Sequence, residues 1–189
     1  MEKEKTLYTL IVHSENIAGV LSQITAVFTR RQVNIESLNV SASSIKGVHK
    51  YTITAWSDED TIIKITKQIE KKIDVIQAHY FTDKQVFIQE TALFKLSTPV
   101  VLENSAISKA IRQHDAKIVE VNPNYTIVSK SGITEEIMSL YSHLIECECV
   151  LQYTRSGRIV VTQDCIERVS EYLDERKRRY MEGKEKGGF

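Results

Sequence analysis

The sequence of 189 residues predicts an α+β fold: two βαββαβ units in tandem, followed by a helical tail. Three observations predict it. Short runs with two-residue alternation interleave with longer runs of helical periodicity, in the order strand, helix, strand, strand, helix, strand. That order occurs twice, and each pass fills about 75 residues, the size of a small domain. A further amphipathic stretch, Asp164 to Met181, follows the second pass.

In the first unit, Leu7–Val12 alternates as a strand, and Gly19–Arg31 reads as a helix whose Val20, Leu21, Ile24, Val27 and Phe28 form one apolar stripe. Val33–Ser41 reads as the second strand and Lys50–Trp56 as the third. Ser57-Asp58-Glu59-Asp60 then offers a helix cap, with Ile62, Ile65, Ile69 and Ile73 at helical spacing and Lys64, Lys67, Lys71 and Lys72 on the wet side. Val75–Tyr80 closes the unit. Two helices on one face of such a sheet make a ferredoxin-like domain, whose other face needs cover from another element, a second chain being the first candidate.

Beyond the polar stretch Thr82–Gln85, Thr91–Ser97 reads as strand, Asn104–His114 as helix and Ala116–Val121 as strand. Asn122-Pro123-Asn124 is a turn. Tyr125–Val128 follows as strand, Thr134–Leu144 as a helix with Ile137, Leu140, Tyr141 and Leu144 on one side, and Cys147–Thr154 as the closing strand. The expected organisation is therefore a domain over 1–81, a linker over 82–90, a second domain over 91–163 and a helical, partly disordered tail over 164–189. In that tail, Ile166, Val169, Tyr172 and Leu173 make a short apolar stripe, and acids interleave with the basic run Arg176–Arg179, the mark of a solvated helix.

Composition excludes several function classes. Acidic and basic residues balance at 25 each, leaving no overall field for nucleic acid or an anionic membrane. No segment approaches the roughly 20 apolar residues that span a bilayer, and Met1–Lys5 lacks the apolar core of an export signal, so a cytoplasmic protein is expected. Three cysteines, Cys147, Cys149 and Cys165, read as reduced thiols and not as a disulfide framework.

The most informative stretch is Ile11–Val40. It joins a strand to a helix through a Gly-centred turn and returns through Asn34-Ile35-Glu36-Ser37-Leu38. The first turn of a helix has backbone N–H groups without intrahelical partners, where a carboxylate docks. On residues alone the plainer reading comes first: Gly19 permits a tight strand-to-helix turn and Asn34 caps a loop.

Gly19-Val20-Leu21-Ser22, then Phe28, then the unbroken Asn34–Leu38 run resemble the N-terminal ACT domain of the acetolactate synthase (acetohydroxyacid synthase) small subunit family. Asn16, three residues before the glycine, matches as well, and Val119–Pro123 and Arg155-Ser156-Gly157 resemble the C-terminal half. The resemblance spans roughly Thr6 to Thr162 and implies ACT and ACT-like domains in tandem. It implies a non-catalytic regulatory subunit that pairs through its ACT domains, binds valine or another branched-chain amino acid, and activates the large catalytic subunit. By the same resemblance the effector lies among Asn16, Ala18, Gly19, Val20 and Leu21 of one chain and Asn34 and Ile35 across the dimer. Thiamine diphosphate, magnesium and FAD would all belong to the catalytic subunit, with no cofactor in this chain. The family commonly carries two polar residues before the glycine where this chain has Ile17-Ala18, which bears on effector identity and on feedback itself. Its members usually stop near the start of the tail.

Other constellations are weaker. His143, Cys147 and Cys149 supply three metal-type ligands where a closed zinc site takes four, and two cysteines sharing a strand face more often pack. His13, His49, His79 and His114 are scattered and expected at surfaces or strand edges, and no nucleophile, base and orienting partner are spaced for catalysis. Two rival classes share the architecture: a free-standing tandem ACT amino-acid sensor in gene regulation, and a metal-sensing domain centred on the cysteines.

Overall fold

The computed structural model describes residues 5–163 and, beyond them, Val169, Glu171, residues 173–175 and Arg178. The expectations for Ile166, Tyr172 and the end of the tail lie outside the described residues. The chain divides into two compact units, residues 1–87 with 161–189, and residues 88–160.

The first unit runs β1 (Thr6–Glu15), α1 (Val20–Arg30), β2 (Ser37–Ala42), β3 (Val48–Ser57), α2 (Glu59–Glu70) and β4 (Val75–Thr82). Its strands pair antiparallel in the order β2-β3-β1-β4. Leu10 sits between Ile53 of β3 and Tyr80 of β4, so alternate residues of three strands face the helices together. Val20, Ile24, Val27 and Phe28 of α1 meet Ile62, Ile65 and Ile69 of α2 over that face. The apolar stripe expected on α2 stops at Ile69, because the helix ends at Glu70 and leaves Ile73 84% exposed. Asp58 caps α2, its carboxylate accepting from Thr61 N at 3.1 Å and Thr61 Oγ1 at 2.8 Å.

The second strand starts four residues later than its alternation suggests. Gln32 adopts φ 53° to leave the helix, and the first sheet bond runs from Glu36 N to the Thr54 carbonyl at 2.8 Å. Asn34 and Ile35 therefore lie in the connecting loop.

The opposite sheet face is also buried, through Thr9, Ile11, His13, Thr52 and Thr54. His13, expected near the surface, is 2% exposed, its Nδ1 3.1 Å from Gln77 Nε2. At one end of this face Val48 and Ile76 pack with Val169, with Ile45 and Leu173 alongside. At that end the cover is the chain's own tail.

The second unit repeats the topology with additions. After a 3₁₀ turn at Asp83–Gln85 come β5 (Val86–Ser97), α3 (Thr98–Glu103), α4 (Ser105–Gln113), β6 (Lys117–Val121), β7 (Tyr125–Gly132), α5 (Thr134–Glu146), β8 (Val150–Arg155) and β9 (Ile159–Thr162). The order β6-β7-β5-β8 mirrors that of the first sheet, and β9 also pairs with β5. Phe94, Leu96, Ile107, Ile111, Val128, Ile137, Leu140 and Leu144 form the core. Asn104 ends α3 and caps α4, its Oδ1 accepting from Ala106 N at 2.9 Å. The strand expected at Thr91 begins at Val86, and α3 and β9 were not foreseen.

The cysteine reading changes too. Cys147 is the C-cap of α5 and Cys149 precedes β8, so neither stands in a strand. Glu148 between them adopts φ 52°, a left-handed turn that ends the helix.

Candidate effector site

The loop between β1 and α1 is fixed from below and open above. Glu15 N donates to the Asp74 carbonyl and Asn16 N to the Gly47 carbonyl, both at 2.9 Å. Two turns from elsewhere in the unit thus hold the loop. Gly19 sits at φ 92°, where a side chain is strained, and a Cβ there would meet nothing within 4 Å. The glycine answers to backbone conformation and leaves space over the helix start. The first intrahelical bond runs from Gln23 N to the Gly19 carbonyl at 3.1 Å, and no side chain caps the helix from Gly19. The amides of Val20, Leu21 and Ser22 precede the ladder.

Around this opening Asn16, Ala18 and Gly19 are exposed, and Ile17 and Leu21 add apolar surface at 49% and 40% exposure. Val20 is buried in the core, so its side chain serves packing and its backbone N–H faces the turn. Asp74, which takes the Glu15 amide through its carbonyl, also accepts from Gln23 Nε2 at 3.4 Å. Neither it nor Gly47 stood out in the sequence, because their part is played by backbone carbonyls.

Asn34 and Ile35 lie at the other end of α1. Eleven helical residues span about 16 Å, so the Gly19 and Asn34 ends of one chain stand too far apart to close on a single amino acid. Asn34 is exposed at the rim of a groove lined by Arg31, Glu36, Trp56 and Asp58, while Ile35 is half-buried against the core. Between the two ends, the outer face of α1 is built from Ser22, Thr25, Ala26 and Thr29, with Arg30 at its far edge. Thr25 and Thr29 turn their hydroxyls back onto the carbonyls of Leu21 and Thr25 at 3.0 and 3.3 Å. That leaves a stretch of small side chains, bounded by Arg30, that another helix can approach closely.

In the second unit, His143 faces His114, Nδ1 to Nε2 at 2.8 Å. Burial, and then His143 beside it, push the His114 pKa below the ordinary histidine range. Cys149 is buried, its Sγ 3.4 Å from the Leu144 carbonyl, and burial followed by the neighbouring Cys147 pushes its thiol up to about 11. It stays protonated and packs as a small apolar group. Among the described residues no three His, Cys, Asp or Glu group as metal ligands would. Glu90, 3% exposed, accepts from Thr134 Oγ1 at 2.7 Å and pairs with Arg155 at 3.3 Å and Arg158 at 3.6 Å. Ser156 locks the same corner, its N donating to the Thr91 carbonyl at 2.9 Å and its Oγ accepting from Thr91 N at 3.1 Å.

Two ferredoxin-like units, the first with an open, glycine-started helix, define a tandem ACT-type protein. Residues 10–77 match the family described as AHAS small subunit-like ACT domain, and residues 89–164 match the family described as small subunit of acetolactate synthase. The chain is 31% identical to the probable acetolactate synthase small subunit of Methanothermobacter thermautotrophicus over 72% of this chain and 82% of that one. It is 31% identical to the acetolactate synthase small subunit of Bacillus subtilis over 81% and 87%. The crystal structure of the small subunit from Thermotoga maritima superposes with a TM-score of 0.76 at 22% identity, covering 85% of this chain and 99% of that one. This chain belongs to the acetolactate synthase small-subunit family.

Proposed function

We propose that this chain is the regulatory subunit of an acetolactate synthase: it activates a thiamine-diphosphate-dependent catalytic subunit and carries feedback inhibition by a branched-chain amino acid, valine first. The cofactors, thiamine diphosphate with magnesium and flavin, sit on the catalytic subunit. The observation that carries the reading is the separation of the Gly19 and Asn34 ends of α1 by about 16 Å. A twofold axis beside α1 and the β2 edge would bring the Gly19 end of one copy to the Asn34 end of the other. The effector carboxylate then takes the amides at the helix start and the Asn16 side chain, and its branched side chain meets Ile17, Leu21 and Ile35. Two amino acids per dimer would bridge the copies.

Control requires two states that the effector binds unequally. A coupling of about 1–3 kcal/mol changes catalytic-subunit affinity some 5- to 150-fold. The test is acetolactate formation by the cognate large subunit with and without this chain, titrated with valine, leucine and isoleucine. Stimulation reversed by one of them is the expected result. Stimulation that none reverses leaves an activator without a sensor, in keeping with Ile17-Ala18, and no stimulation at all overturns the reading in favour of a free-standing sensor.

A further inference from the structure

We infer that the C-terminal tail positions the effector loop, with Val169 and Leu173 as positioning residues for the Gly19 site; the link to effector binding rests on the reading above. The tail lies beyond residue 164, where the family matches end. Its contacts fall at a telling place. Val169, 2% exposed, packs on Val48 and Ile76, and Leu173 lies against the same cluster with Ile45.

Val48 follows Gly47, whose carbonyl holds the Asn16 amide, and Ile76 stands two residues after Asp74, whose carbonyl holds the Glu15 amide. Val48 pairs with Glu15 across β1 and β3, and Ile45 closes the turn by accepting from Val48 N at 3.1 Å. The register of β1 against β4 slips between His13 and Ser14, at the level of Ile76, so the ladder alone does not fix this end of the sheet. Among the described residues of the tail, Val169 and Leu173 thus pack beside both turns that anchor the loop.

Close-packed interiors transmit small displacements, so removing the Val169 side chain lets the two turns shift and the loop with them. Gly19 and the amides after it are then no longer held for a ligand. The deep part of the sheet, around Leu10 and Ile53, has its own core and does not depend on the tail.

The experiment is hydrogen exchange on the full chain, comparing wild type with Val169→Ala and Val169→Asp, alongside calorimetric titration with valine, leucine and isoleucine. The expected result is exchange of the Glu15 and Asn16 amides accelerated on the order of tenfold in Val169→Asp and less in Val169→Ala, with Leu10 and Val12 unchanged. Effector affinity falls in the same order. Unchanged loop exchange in both variants overturns the inference, as does a uniform acceleration through the unit, which would make the tail a general stabiliser. The exchange readout needs no effector. A wild type that binds none of the three amino acids therefore sinks the effector reading, while accelerated loop exchange would still uphold the tail's grip on the loop.

Discussion

His114 Nε2 and His143 Nδ1 meet at 2.8 Å, a hydrogen bond that joins the C-cap of α4 to the last turn of α5. One ring must donate and the other accept, so the bond does not survive protonation of both. The His114 pKa is lowered by burial first, then by His143 and Lys130, with Glu136 opposing. Because the folded value is depressed, the unfolded chain binds the proton first as pH falls. Stability is full above the ordinary histidine value of 6.5 and declines below it until the folded value is passed. Urea midpoints measured from pH 8 to pH 5 should fall through that window, and His114→Gln should flatten the profile. A profile identical in the variant would remove the histidine from the account.

Glu90 faces two guanidinium groups in the second unit and is almost fully buried. Removing the carboxylate strips Arg155 and Arg158 of their shared acid and leaves Thr134 Oγ1 without its acceptor. Glu90→Ala should destabilise the protein by about 3–5 kcal/mol, as breaking a buried pair from one side does. Glu90→Gln keeps the Thr134 bond and should cost less. Denaturant unfolding of the three proteins checks the order, and an alanine variant as stable as wild type would mean the arginines find other acids.

Gly19 combines a left-handed backbone with open space above it. Gly19→Ala should therefore cost about 1–2 kcal/mol through φ alone and leave effector binding measurable. Gly19→Asp adds a carboxylate where the ligand's own would dock. Inhibition should disappear while activation of the catalytic subunit persists. Comparing the two variants separates strain from charge, and an aspartate variant still inhibited at the wild-type effector concentration would move the site elsewhere.

Much of this was legible in the sequence because the signals were periodic. The stripe Val20, Ile24, Val27, Phe28 and the cap at Asp58 lie where helical spacing and side-chain chemistry put them. What escaped were features set by the backbone or by distant partners. Asn34 and Ile35 alternate like a strand, yet the chain needs them to leave α1 through Gln32 and reach Ser37. Thr98–Glu103 holds Val100, Val101 and Leu102 in under two turns of helix, too short for a period to declare itself, although Pro99 suits a helix start. The residues at 147–149 read as strand because nothing local marks Glu148 as left-handed. His114 and His143 stand 29 positions apart, and only the packing of α4 on α5 makes them a pair.

Ala26 is the most direct probe of the paired arrangement. It lies between Ser22 and Thr29 on the outer face of α1, half-buried, with Arg30 one turn further along the same face. Glutamate is a good helix former, so Ala26→Glu should leave the monomer folded. In a dimer whose α1 helices face each other, the same change places two like charges and extra bulk at the axis. The dimer should weaken by about 3 kcal/mol, roughly a hundredfold in Kd, in sedimentation equilibrium. Effector binding should fall with it although Gly19 and Asn16 are untouched, because Asn34 and Ile35 would no longer arrive from the second copy. Lys109→Glu, at an exposed position of α4, is the control and should change neither quantity. A variant at Ala26 that stays dimeric and still binds the effector would place the interface away from α1, and the bridging site with it.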